Sequence, residues 1–240
     1  MKPILLFLAA ALLLCSSCRW MGYKRIKGNG NIITQDINIS RAERISLRGS
    51  FDMEVTQGPV TSIKIEADEN FIPFISISEN DGFLVIKSKD HVNFVSEHNI
   101  KVYITTPKLE QVELSGSGNI VGKNKFTGGD KLVLRISGSG DMVLETNTPR
   151  VDAEISGSGS MTLSGETQDQ KVRISGMGDY KAEGLKSERT VVRIAGSGDV
   201  RVFADTDLDI NIAGSGSIFY KGNATIKQHI AGSGEVKKIE

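Results

Sequence analysis

The sequence predicts an all-β solenoid of stacked coils with 18–22 residues per rung, and three observations carry that prediction. A Gly-x-Gly motif returns with its first glycine at Gly116, Gly138, Gly157, Gly176, Gly196, Gly214 and Gly232, at spacings of 22, 19, 19, 20, 18 and 18 residues. Self-similarity at a near-constant period marks a repeat architecture, in which each unit buries its apolar face only against its neighbours. Within each copy apolar and polar residues alternate: in "KLVLRISGSGDMVLE", Leu132, Leu134, Ile136, Met142 and Leu144 share one parity with Gly138 and Gly140. Period-two alternation is the strand signal, and no segment shows a convincing 3.6-residue period.

In chain order the first element is an export signal. Met1 and Lys2 precede "ILLFLAAALLL", an apolar run of eleven residues that is too short to span a bilayer. Ser16 and Ser17 then precede Cys18, an arrangement that resembles the lipobox of bacterial lipoproteins, whose cysteine is lipidated and becomes the new N-terminus; Cys15 stands where that motif prefers Leu. Residues 1–17 are therefore read as a lipoprotein signal peptide, 18–31 as anchor and linker, and Cys18 as the lipidation site, a candidate for palmitate. An exported chain with one remaining thiol forms no internal disulfide, which leaves anchoring as the use of that cysteine. Arg19, where an aspartate would hold many lipoproteins at the inner membrane, favours the outer membrane, with the leaflet left open.

Charge excludes one class of partner. The 29 basic and 29 acidic residues cancel, and with no basic cluster in the mature part nucleic acid is not an expected ligand.

Residues 32–106 form a more irregular β-rich N-terminal part, with strands expected at 44–56, 61–67, 75–79, 83–88 and 100–105. "DENFIPF" reads as a turn or a short helical piece stopped by Pro73, and Asn80, Asp81 and Gly82 as a hairpin turn. "KDHVNFVSEHN" at 89–99 breaks the alternation and reads as the longest polar loop; it carries His91, Phe94 and His98, and recognition favours such loops. Gly28 and Gly30 in "IKGNGNII" are candidates for a detached copy of the motif. "LRGSFDMEV" around Gly49 reads as a degenerate copy, with Phe51 for the second glycine.

Residues 107–240 are the repeat proper. Aligning its copies predicts two inward ladders: Leu114, Ile136, Ile155, Ile174, Ile194, Ile212, Ile230, and Ile120, Met142, Met161, Tyr180, Val200, Ile218, Val236. An outward ladder runs Glu113, Arg135, Glu154, Arg173, Arg193, Asn211, His229, with opposite charges alternating over its first four members.

Four chemistries compete for the glycine motif. A phosphate cradle needs a following helix, and here strand continues. Calcium toxin repeats need "GGxGxD" at half this period, and the column Asn119, Asp141, Ser160, Asp179, Asp199, Ser217, Glu235 is irregular, though one cation at Asp179 and Asp199 stays open. A catalytic face would need two carboxylates brought together, as Asp141 and Asp179 would be across a rung. The plainest reading makes the motif a corner. Its two inward glycines bend the chain where a Cβ has no room, and a following Asp, Asn or Ser closes the bend by a side-chain hydrogen bond.

The "VELSGSGNI"-type repeats, the "ISENDGFLVIKSK" hairpin and the lipoprotein-like start together resemble the head GIN domain family of putative autotransporter adhesins, from about residue 32 to 240. The resemblance implies a right-handed parallel β-helix-like fold in secreted or surface-attached bacterial proteins, with no catalytic residues to carry over. Met177 departs from the small residues at its position. The resulting expectation is a non-enzymatic, lipid-anchored cell-envelope scaffold or adhesion module with a glycan or protein partner, no cofactor and no metal site. The alternative is a polysaccharide-active enzyme of the same fold using outward carboxylates.

Overall fold

The structure, a computed structural model, describes residues 23–240; the expected signal peptide and Cys18 lie outside the described residues. Among the described residues no helix is long and apolar enough to cross a membrane. The N-terminal part comprises β1 (Lys24–Lys27), β2 (Ile32–Ile37), β3 (Arg44–Gly49), β4 (Asp52–Gln57), β5 (Ser62–Asp68), a 3-10 helix (Glu69–Phe74), β6 (Ile75–Asn80), β7 (Phe83–Ser88), β8 (Val92–Val95) and β9 (Lys101–Thr106). The repeat follows as β10 (Gln111–Gly116), β11 (Asn119–Thr127), β12 (Leu132–Gly138), β13 (Asp141–Asn147), β14 (Arg150–Gly157), β15 (Ser160–Gly176), β16 (Asp179–Gly196), β17 (Val200–Phe203), β18 (Asp207–Gly214), β19 (Ser217–Lys221), β20 (Thr225–Gly232) and β21 (Glu235–Lys238).

The chain is a parallel β-solenoid, as the repeat predicts. Both inward ladders stand in register from end to end: Leu114 pairs with Ile136, then Ile155, Ile174, Ile194, Ile212 and Ile230. Ile120 likewise leads through Met142, Met161, Tyr180, Val200 and Ile218 to Val236. Most of these side chains are fully buried in one continuous core, and burying each stabilises by about 1.5–3 kcal/mol. The unequal spacings have a physical form. The 22-residue step is a 19-residue rung with three extra residues: two in a bulge between Val121 and Lys125, and one in the turn that takes Thr127 to Leu132 where the next rung takes Asn147 to Val151.

The degenerate copy at Gly49 is a true rung. Leu47 pairs with Leu114 and Met53 with Ile120, extending both ladders. Beneath it the stack order departs from sequence order, because β7 lies under β3 and β9 under β4, so residues 44–57 separate residues 83–106 from the repeat. Antiparallel strands then cover this end: β6 hairpins onto β7, β5 pairs with β9, and β2 with β5.

Several local expectations are corrected. The strand expected at 44–56 breaks at Ser50 and Phe51, which form the rung's corner. Pro73 lies inside the 3-10 helix instead of stopping it. The 89–99 segment is not all loop: β8 pairs in parallel with β1 as a separate two-stranded sheet, and Phe94 packs on Phe71 with ring centres 4.6 Å apart. The Asp81–Gly82 turn holds as expected, with φ of 50° and 77° at its two centres.

Gly28 and Gly30 are not a detached rung. The β1–β2 connection wraps the carboxylate of Asp68, which is 1% exposed; Asp68 Oδ1 accepts from Gly30 N at 2.6 Å and Oδ2 from Ser96 Oγ at 2.6 Å. A Cβ on Gly28 would lie 2.6 Å from Asp68 Cγ, which is why glycine stands there. Nothing local in "IKIEAD" announces that this aspartate is buried.

Candidate functional site

The two glycines of each motif differ in role, which corrects their joint assignment to the lumen. Gly138 is half-buried with φ of 129°, and a Cβ on it would collide with the carbonyl of Gly116 in the rung below. Gly140 is buried, and a Cβ there would meet Leu114 Cδ2 at 2.6 Å as well as the Gly118 backbone. The first glycine is thus required by backbone stacked on backbone, and the second by backbone and core together. Between them Ser139 N donates to Gly116 O at 3.0 Å, and Ser158, Met177, Ser197, Ser215 and Ser233 repeat that bond rung by rung.

With the backbone so occupied, the corner presents its small side chains to solvent. Ser50, Ser117, Ser139, Ser158, Ser197, Ser215 and Ser233 form an exposed column at about 4.8 Å per rung. Met177 interrupts it, 68% exposed. The neighbouring exposed column is Ser115, Ser137, Ser156, Ser175, Ala195, Ala213 and Ala231.

The acidic column clips rungs together. Asp52 Oδ1 accepts from Asn119 N, Asp141 Oδ1 from Ser160 N and Asp199 Oδ1 from Ser217 N, each at 3.1 Å. The bond expected to close a bend within one corner instead joins an aspartate to the next rung. Asp179 is followed one rung later by Asp199 and has no such clip among the described residues; its carboxylate lies 3.8 Å from Lys181 Nζ. Asp141 and Asp179 are not neighbours, since Ser160 stands in register between them. The described residues hold no group of three or more His, Cys, Asp or Glu able to ligate a metal.

The charge ladder forms over three of the four members expected to alternate: Arg135 reaches Glu113 at 2.9 Å and Glu154 at 3.4 Å, whereas Arg173, in register with Glu154, makes no ion pair among the described residues. Further along, Arg193 turns aside to Asp209 at 3.0 Å.

The 89–99 segment occupies the corner position of the lowest rung, since it joins β7 to β9 where Ser50–Phe51 joins β3 to β4. The serine edge therefore runs down onto it, with Ser50 Oγ 3.0 Å from Ser117 Oγ. A cavity of about 250 Å³ opens there, floored by Phe51, Phe71 and Phe94 and rimmed by Ser50, Asn93, Ser96, His98 and Asn99. His98 is the one ionisable side chain among its lining residues, whereas glycoside hydrolysis takes a pair of carboxylic acids. Hydroxyls, amides and ring edges suit this edge to hydrogen-bonded contact. Sequence reasoning found Phe94 and His98 but missed Phe71, whose burial depends on the fold of the base.

Residues 41–224 match a family described as "Putative auto-transporter adhesin, head GIN domain". No curated protein matches the chain. A putative adhesin from Bacteroides fragilis has a similar crystal structure, with a TM-score of 0.83 at 24% identity over 89% of this chain and all of that one, a likeness of fold alone. A putative adhesin from Parabacteroides distasonis gives 0.74 at 26% identity, over 90% of this chain and all of that one. A protein from the same organism described as a putative lipid binding protein gives 0.73 at 27% identity with the same coverage.

Proposed function

The chain belongs to the head GIN domain family of putative auto-transporter adhesins, and from that premise we propose that it is a non-enzymatic adhesion or scaffold module of the cell envelope, lipid-anchored at Cys18. The observation that carries this reading is the corner edge, a row of exposed serines interrupted at Met177. Its backbone groups are consumed between rungs, so its hydroxyls and the rim of the basal cavity are what it offers a partner. A repeating row of hydroxyls at about 4.8 Å suits an extended glycan or peptide better than a compact substrate. Export is supported by the family and by the signal-like start; outer-membrane placement rests on Arg19 and on Cys18 as the anchor.

The partner is tested by screening the mature chain on a glycan array, with Ser139→Lys/Ser158→Lys to obstruct the edge. Binding that survives this substitution would move the contact elsewhere. The anchor is tested by incorporation of a palmitate analogue, expected in the wild type and lost in Cys18→Ala; equal labelling of the two would refute it.

A further inference from the structure

The balanced charge of the whole chain conceals a basic cluster near the start of the mature part, contrary to the expectation that none is there. From Cys18 to Gly28 the chain carries Arg19, Lys24, Arg25 and Lys27 with no acidic residue, and residues 1–17 contain none either. In β1 only Ile26 is buried, while Lys24, Arg25 and Lys27 are exposed. Alternation puts Arg25 and Lys27 on the face opposite Ile26, away from the core. The ion pairs among the described residues use none of these three cations.

The surroundings strengthen the imbalance. Lys24 Nζ stands 4.7 Å from the centre of the Phe74 ring, and exposed Lys89 and His91 lie at the start of the partner strand's segment. Tyr23, 57% exposed, packs edge-on against His91 at 5.8 Å. Of the acids in the adjoining segments, Asp90 is held by Lys87 at 3.3 Å, Glu69 accepts from Asn31 Nδ2 at 2.8 Å, and Glu97 is exposed. Asp68 fastens the β1–β2 connection to the base, so these cations are carried on a fixed mount.

Chain length supplies the occupant. Five residues separate Cys18 from Lys24, six Cα–Cα steps that span at most about 20 Å when extended, so an acyl group on Cys18 keeps β1 within reach of lipid headgroups. Trp20 and Tyr23 within that tether are residues that favour the bilayer interface.

We infer that β1 and its flanks are an electrostatic footing on an anionic phospholipid surface, with Lys24, Arg25 and Lys27 as the contacting cations. The tether argument rests on the proposed anchor at Cys18; the charge argument does not. The footing lies at the capped end of the stack, where β1 pairs with β8, and the β20–β21 rung is at the other end.

The test uses the mature chain carrying Cys18→Ala, so that no acyl group contributes. It is expected to sediment with phosphatidylcholine vesicles containing phosphatidylglycerol, not with pure phosphatidylcholine, and to be released by raised salt. Lys24→Glu/Arg25→Glu/Lys27→Glu should weaken that binding about tenfold or more. Arg25→Gln/Lys27→Gln, confined to the solvent face, should weaken it less while keeping the thermal midpoint. Lys227→Glu/Lys237→Glu/Lys238→Glu, at the other end of the stack, should leave it unchanged. Equal partition onto both vesicle types, or equal loss from the far-end variant, would overturn the inference. Palmitate labelling of the wild type reads the anchor separately.

Discussion

At the scale of single residues, the repeat is governed by what a Cβ would strike. Gly138→Val places a β-branched residue at φ of 129° and drives its Cβ into the Gly116 carbonyl. The expected cost in chemical denaturation is about 4 kcal/mol, against less than about 0.5 kcal/mol for exposed Ser139→Ala. Near-equal effects would refute the stacking argument. Tyr180 is the other residue whose surroundings make a claim. It lies fully buried in the ladder between Met161 and Val200, and burial raises its phenol well above the usual tyrosine range, opposed by a hydrogen bond from Gln170. Unfolded tyrosines lose their proton near pH 10 or so, whereas folded Tyr180 keeps its proton. Above that pH the native state therefore binds more protons, and stability falls as pH rises. Tyr180→Phe should flatten the decline in urea midpoint between about pH 9 and 11. Part of the decline remains, because burial and Glu66 shift Tyr103 in the same direction.

At the scale of elements, strands β15 and β16 carry a buried polar cluster. The column through Leu132 and Val151 continues as Gln170 and Thr190 before returning to Leu208. Gln170 Nε2 donates to Tyr180 Oη at 2.7 Å, Thr190 Oγ1 donates to Gln170 Oε1 at 3.2 Å, and Ser187 Oγ lies 2.6 Å from Thr190 Oγ1. No buried side-chain polar atom among the described residues lacks a partner. Gln170→Ala strands the Tyr180 hydroxyl and opens a cavity, at a cost of about 2–4 kcal/mol. Gln170→Leu/Tyr180→Phe removes both polar ends at similar volume and should stay within about 1.5 kcal/mol of wild type. A double variant no better than the single would mean that the cluster contributes through packing alone. The exposed Glu113, Arg135, Glu154 ladder, by contrast, is worth only about 0.2–1 kcal/mol per pair.

At the scale of the molecule, the two ends of the stack are protected differently. Antiparallel strands close the N-terminal end, while among the described residues β20 and β21 each pair on one side only. The last rung puts Gln228 in the column of Val192 and Ile210, and Lys238 in that of Val202 and Tyr220, which gives the open end a wet face. Inward polar residues on an edge strand oppose pairing with another chain. Gln228→Ile/Lys238→Leu should therefore produce concentration-dependent association, read by light scattering after gel filtration. A variant that elutes unchanged over a wide concentration range would show that the edge is guarded by other means.

The repeat was legible because each rung contacts only its neighbours, so a local period in the sequence is also the period in space. Alternation gave the inward ladders residue by residue, down to Tyr180 in its column and Gly49 in its degenerate copy. The difference between the two glycines was not legible, since parity places both inward and only the rung below distinguishes them. The base depended on tertiary structure for the same reason. Residues 44–57 stack above residues 83–106, Asp68 is buried by a segment some forty residues earlier in the chain, and Phe71 packs on Phe94 of the separate two-stranded sheet. The sequence by itself determined the coil, its core and its register, because nearest-neighbour stacking writes them into a repeating pattern. Only the tertiary structure decided the order of the first rungs, the cavity at their corner and the cationic strand mounted beside them, because those contacts join segments that share no period.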